Sequence, residues 1–213
     1  MTKLRFNIAM SLDGFVAGPE QSQENPLGIG GEELHEWAVG LRAFREAHGK
    51  EGGEESPSNA VIEGWFENVG ATIMGRNMFG GGPGPWGDDQ WTGWWGDEPP
   101  FHNPVFVITH HAREPVEMKG GTTFHFMTEE IESALEQAKE AAGEKDVALA
   151  GGASVAQQYL AAGLIGEMEI SLVPILLRGG ERLFDNLGDR DIGLEQIGVV
   201  EAPGVTHITY RVA

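Results

Sequence analysis

The chain has 213 residues, 40% of them apolar and 22% charged, which is enough for one well-buried core and has the balance of a globular protein rather than a disordered one. A formal charge of −19 argues against nucleic-acid or anionic-membrane binding, and any phosphate ligand must find local basic groups or helix termini. The lack of cysteine excludes disulfides, Cys-ligated zinc and thiol nucleophiles. Residues 1–30 do not have the order of a secretion signal and no apolar run reaches membrane-spanning length, so a cytoplasmic protein is expected.

Leu4, Phe6, Ile8 and Met10 alternate with polar or small residues, which predicts a strand that stops at Asp13-Gly14. Asp13 therefore sits at a strand end, where a carboxylate either forms the turn or lines a site. The Gly- and Pro-rich segment 17–31 reads as a loop. Leu34, Trp37, Ala38, Leu41 and Phe44 then mark one face of a helix over 32–48, with Glu32 and Glu33 complementing its dipole. The functional alternative there is a carboxylate, or His35, turned toward a substrate. Residues 49–57 have linker composition, and Ile62, Trp65, Phe66 and Val69 read as the core face of a second helix.

A short apolar strand, 71–74, runs into Gly75-Arg76. There glycine permits close approach and Arg76 offers a fork of donors suited to phosphate. Residues 80–100 hold glycine, proline and four tryptophans, Trp86, Trp91, Trp94 and Trp95, whose rings must dock on the domain, on a second subunit or over a flat ligand. The buried-strand pattern 104–109 ends at Thr109 and empties into His110, His111 and Arg113, a cationic group able to seat a phosphate. Adjacent histidines diverge and no ligand spacing accompanies them, so no metal site is expected. A strand over 122–127 follows. Thr128 is placed to cap a helix carrying Ile131, Leu135 and Ala138 and closed by Gly143.

The stretch 146–160 organises the rest. Val147 to Ala150 reads as a strand covered on both faces, Gly151 and Gly152 turn the chain, and Ser154 with Gln157 forms the pattern of a capping box before a helix that Gly163 closes. A helix start aimed out of a strand end offers unpaired N–H groups to phosphate oxygens, although a tight turn that binds nothing has the same pattern. It is not the dinucleotide fingerprint, because neither Val155 nor Ala156 is the third glycine. A strand over 167–177 interrupted by Pro174, a turn at 179–184 and a hairpin of 193–201 with 205–212 complete the chain. Strands alternating with helices, then a terminal hairpin, indicate an α/β protein with a mostly parallel sheet and antiparallel edge pairing.

Ser11-Leu-Asp-Gly14, Thr72-Ile-Met-Gly-Arg76, Val105-Phe-Val-Ile-Thr109, Leu149-Ala-Gly-Gly-Ala-Ser154 and Val173 to Phe184, in this order, resemble the reductase domain of bacterial riboflavin biosynthesis, the C-terminal family of the bifunctional deaminase-reductases. The resemblance covers nearly the whole chain. It implies a single domain of dihydrofolate reductase-like fold, NADPH as hydride donor to a C=N or C=O of a small heterocycle, and a homodimer. It places the cofactor pyrophosphate on Gly151, Gly152, Ala153, Ser154 and Val155, with a cis bond between the two glycines. The adenosine-side phosphates fall near Gly75, Arg76, Thr109, His110, His111 and Arg113, and Met10 and Asp13 lie near the nicotinamide and substrate, Asp13 as proton relay. Two departures stand out. Ala150 occupies the place of a substrate-contacting glutamate, and residues 28–37 lack the family's Ser-Gln-Trp-like segment and basic helix for a substrate phosphate. The rival expectation is a non-catalytic module that keeps the nucleotide cleft and holds a flat ligand with its tryptophan-rich loop.

Overall fold

The structure, a computed structural model, describes residues 2–82, 84–87 and 91–213. In chain order it runs β1 (Leu4–Ser11), β2 (Phe15–Ala17), α1 (Glu36–Val39), α2 (Arg42–Ala47), α3 (Ser58–Phe66), β3 (Val69–Gly75), α4 (Arg76–Phe79), β4 (Pro104–Ile108), β5 (Val116–Glu117), β6 (Thr123–Met127), α5 (Ile131–Ala142), β7 (Asp146–Gly151), α6 (Ala153–Ala161), β8 (Glu167–Val173), β9 (Glu181–Arg182), β10 (Leu194–Ala202) and β11 (Val205–Val212), with 3-10 turns at Gly31–Leu34 and Lys119–Gly121. Nine strands form one sheet in the order β10-β11-β8-β1-β7-β3-β4-β6-β5, while β2 and β9 form a separate ribbon. From β8 to β6 neighbouring strands are parallel; β11 on β8, β10 on β11 and β5 on β6 are antiparallel. This is the mostly parallel α/β sheet with a C-terminal hairpin that the sequence pattern implied.

Strand alternation sorts the two faces. Leu4 and Phe6 of β1, Ala71 and Ile73 of β3, Val147 and Leu149 of β7 and Met168 and Ile170 of β8 are buried under Ala134, Leu135 and Ala138 of α5 and Ala156, Tyr159 and Leu160 of α6. Each large side chain so buried contributes about 1.5–3 kcal/mol. On the other face, Met74, Val105, Val107 and Phe124 pack beneath Trp86, Trp91, Trp95 and Phe101, so the tryptophan-rich segment docks on its own sheet. Three of its indole N–H groups donate to the carbonyls of His111 (Trp86, 2.8 Å), Phe79 (Trp91, 2.8 Å) and Met78 (Trp94, 2.9 Å). Pro83 and residues 88–90 of this segment lie outside the described residues.

Several expected boundaries shift for physical reasons. The helix over 32–48 is broken into the first 3-10 turn, α1 and α2: His35 (φ −117°, ψ −4°) separates the turn from α1, and extended Leu41 (φ −76°, ψ 145°) separates α1 from α2. Gly40 and Arg42 on either side of it exchange backbone hydrogen bonds with Glu54, and Asn59 Oδ1 accepts from Ala43 N at 2.8 Å; these contacts override helix propensity. The apolar stripe nevertheless buries Leu34, Ala38 and Leu41 as the pattern required. Residues 49–57, read as a linker, are fastened by the same Glu54 pairing. Val69 opens β3 rather than extending α3. Strand β8 stops at Val173 because Pro174 has no N–H to continue the ladder. Neither expected cap forms. Helix α5 starts after Glu130 rather than Thr128, and α6 starts after Gly152 with Ser154 already inside it. Gln157 instead donates to the Arg182 carbonyl at 2.7 Å and accepts from Asn186 at 3.1 Å, tying α6 to the β9 loop. Gly143 does close α5, with a positive φ of 63°.

Candidate functional site

The parallel strands β7 and β3 end side by side, and their last residues build the first part of the site. Strand β7 ends at Gly151 (φ 123°, open only to glycine), the Gly151–Gly152 bond is cis as the resemblance implied, and α6 follows at once. No side chain caps α6, a Cβ built on Gly152 would meet nothing within 4 Å, and the positive end of the helix dipole lies at this turn. Gly75 is needed for a different reason from the one its strand-end position suggested. A Cβ there would stand 2.8 Å from Val155 Cγ2, so glycine admits the first turn of α6 against β3. Ala153 and Val155 are buried in that contact; Ser154 is exposed.

The expected cationic group gathers at the neighbouring strand ends, around Trp86. The Arg76 guanidinium lies 3.0 Å from the Trp86 ring centroid and that of Arg113 at 4.9 Å, with Arg113 also 5.1 Å from the Phe126 ring. Arg76 Nη2 donates to the carbonyls of Gly81 (3.1 Å) and Gly82 (2.9 Å), while its Nε and Nη1 are buried without a hydrogen-bond partner. Arg113 Nη1 donates to Trp91 O at 2.6 Å. Burial, and then the nearby Arg113 charge, push Arg76 down to about 10. Arg76 is thus turned into the tryptophan segment rather than outward. Buried Thr109 accepts the His111 N–H at 3.2 Å on its hydroxyl, His111 is half-buried and His110 is exposed.

Asp13 has a bonded role. Its carboxylate accepts from Ser11 Oγ (2.7 Å), Leu177 N (3.1 Å) and Arg178 N (2.8 Å), fastening the end of β1 to the loop after β8. The Ser11 hydroxyl and the two amides hold it below the usual carboxylate range. Met10 packs against the main core from the same face as Phe6. Glu32 and Glu33 are exposed, and His35, pushed down by burial, is not part of the cleft described next.

A cavity of about 620 Å³ opens on the second face of the sheet between α2 and α3 on one side and residues 100–103 on the other. Asn7, Thr72, Ala148 and Ala150 form its floor, and Trp65, Phe66 and Phe101 supply aromatic walls. Ala150 directly precedes the glycine turn, and Met78, also lining the cavity, lies 3.6 Å from a Cβ built on Gly151. The cleft therefore reaches the residue before the glycine turn, while residues 151–155 do not line it. A recess of about 130 Å³ continues it past Asn7, Trp65 and Ala148 to Arg5, Glu167 and Glu169. Glu169 accepts from Trp65 Nε1 at 2.7 Å and Thr209 Oγ1 at 3.4 Å, and burial raises its carboxyl. Sequence reasoning did not single out Asn7 or Glu169. Their signal was the polar half of the alternation in β1 and β8, Arg5 and Asn7 between Leu4, Phe6 and Ile8, and Glu167 and Glu169 beside Met168 and Ile170.

This sheet order, with a glycine turn feeding an uncapped helix at a strand end beside a deep cleft, defines a dihydrofolate reductase-like α/β domain. A protein described as a riboflavin biosynthesis protein, from Shewanella sp. PV-4, superposes with a TM-score of 0.67 at 22% identity, covering 100% of this chain and 99% of that one. The RibD protein of Acinetobacter baumannii gives 0.57 at 16% identity over 100% of this chain and 58% of its own. The dihydrofolate reductase of Enterococcus faecalis, solved with NADP(H) and RAB-propyl, gives 0.52 at 14% over 99% and 96%. At these identities the likeness is one of fold. The RibD C-terminal domain family matches residues 2–207, and the chain belongs to that family. Comparison with the curated proteins gave no match. The fold is accordingly of reductase type.

Proposed function

We propose that the protein is an NADPH-dependent reductase that passes a hydride to a C=N or C=O bond of a small heterocycle held in the cleft. The observation that carries this reading is the juxtaposition of an uncapped helix start at Gly152 with a cavity whose floor begins at Ala150. The amides of Gly152, Ala153, Ser154 and Val155, with Gly151 preceding them, suit a diphosphate bridge, which needs several donors and no side chain in the way. Arg76 and Arg113, beside Thr109, His110 and His111, suit the adenosine-side phosphates. Arg76 is held only by two carbonyls and a stacked indole. A cation–π contact is worth ~0.5–2 kcal/mol, less than a desolvated guanidinium gains from an arriving phosphate, so displacement of Trp86 is the favoured exchange. The group bound there supplies a hydride from its dihydronicotinamide ring. The chain's own contribution is to orient the two rings across the end of the cleft and to exclude water from its aromatic walls. The proton would be supplied by ordered water or relayed through the Asp13 carboxylate at the end of β1.

A second reading, a binding module without turnover, is supported by Ala150, which puts no carboxyl at the glycine end of the cleft. Titration with NADPH and NADH, followed by absorbance at the nicotinamide band with pyrimidine, pterin and carbonyl acceptors, separates the two. Binding with oxidation is expected. Binding without oxidation across the panel selects the module, and absence of NADPH binding overturns both. In the same titrations Arg76→Ala is expected to raise the NADPH constant about tenfold or more while leaving that of NADH nearly unchanged. Equal effects would remove Arg76 from the 2′-phosphate.

A further inference from the structure

We propose that the cleft selects an unphosphorylated planar ring with a neutral or cationic, hydrogen-bond-donating edge, and rejects the phosphate ester of the same ring. The proposal rests on reading this cavity as the substrate site of the reductase and names what enters it. The volume, about 620 Å³, suits one nucleoside-sized molecule, and the indole of Trp65 with the rings of Phe66 and Phe101 offers flat apolar surface on which such a ring packs.

The charge lining the cavity decides what the ring carries. Among the described residues that line it there is no Lys or Arg, while Glu46 and Glu63 enter from α2 and α3. The nearest guanidinium on that side, Arg42, is shared by three carboxylates, Glu46 (2.8 Å), Glu55 (2.6 Å) and Glu63 (2.8 Å), which leaves the rim negative. At the inner end Arg5 is already engaged by the carbonyls of Gly64 (2.7 Å) and Glu67 (2.9 Å) and lies within 4.0 Å of Asp146 and Glu167. What the inner end offers a ligand is the carboxylate of Glu169 and the amide of Asn7. Glu169 lines the recess with its oxygens accepting from Trp65 and Thr209, and Asn7 forms no side-chain hydrogen bond among the described residues. A phosphate monoester, with nearly two negative charges, would meet like charge at the rim and, within, only a guanidinium already engaged by Gly64 and Glu67 and the His102 ring bonded to the Gly120 carbonyl, and low-dielectric walls strengthen that repulsion. An amino group on the ring meets the Asn7 side-chain carbonyl, which otherwise lacks a donor, and the negative charge of Glu169 behind it.

The test is isothermal titration of the full chain, without NADPH, against three matched pairs: cytidine and its 5′-monophosphate, thiamine and its monophosphate, pyridoxamine and its 5′-phosphate. The unphosphorylated member of at least one pair is expected to bind, and in each pair that binds it should do so at least tenfold more tightly than its ester. The double variant Glu46→Gln, Glu63→Gln should narrow that ratio threefold or more. Asn7→Leu, which leaves the Arg42 cluster intact, should weaken the unphosphorylated member tenfold. Equal binding, preference for an ester, no binding in any pair, or a ratio and affinity untouched by both variants would overturn the proposal. Because NADPH is absent from these titrations, its failure to bind or be oxidised would sink the reductase reading separately.

Discussion

Gly75 shows how a single missing methyl group shapes the site. Because its Cβ would stand 2.8 Å from Val155 Cγ2, Gly75→Val forces β3 away from the first turn of α6, or Val155 out of its buried seat. The expected cost is about 1–3 kcal/mol of unfolding free energy in a urea titration, the range for overpacking, and the proposed seat of the diphosphate on the same turn adds the expectation of a weaker NADPH constant. Gly152, whose Cβ would meet open space, behaves oppositely: Gly152→Ala should leave stability nearly unchanged and weaken NADPH alone. Both glycines stood out in the sequence as places of close approach. Which one admits protein and which one faces open space depends on what arrives from 80 residues away along the chain, and no local pattern encodes that.

At the scale of elements, α3 is anchored by a buried polar junction. His207 of β11, 1% exposed, stands 2.8 Å from Ser58 Oγ of α3 on one ring nitrogen and 2.8 Å from Ser171 Oγ of β8 on the other, with the Trp37 ring edge-on at 4.9 Å. A neutral imidazole donates to one serine and accepts from the other. Burial pushes His207 down to about 4 from an ordinary value of 6.5. The folded state therefore binds fewer protons than the unfolded one between these values. Its stability is whole above pH 6.5, is lost progressively as pH falls toward 4, and is flat in this respect below that. The shift corresponds to about 3 kcal/mol at most. Urea midpoints measured from pH 7.5 to 4 should fall over that window, and the fall should shrink in His207→Gln. Since α3 carries Trp65 and Phe66 of the cleft wall, ligand affinity should decline over the same range. Nothing in the local sequence marks His207 or Ser58 as partners, because the contact joins segments 149 residues apart.

At the scale of the molecule, the sheet leaves one long edge uncovered. Strand β10 is outermost, nine residues long, and carries exposed Leu194, Ile197 and Val199. Such an edge invites pairing with another chain, and a second copy laid along it would cover the three apolar side chains. A dimer is therefore expected by light scattering at micromolar concentration, and Ile197→Glu with Val199→Glu should yield monomer. A charge of −19 opposes self-association, so the dimer should tighten as salt is raised. The residues themselves determined the order of strands and helices, the terminal hairpin and the glycine turn at 151–152, because alternation, propensity and glycine's freedom act over a few neighbouring positions. Only the tertiary structure decided that Arg76 lies beneath Trp86, that Asp13 fastens a loop, and that Asn7 and Glu169 face a cleft. Each of those depends on which distant segment comes to pack against it, and that follows from burial summed over the whole chain.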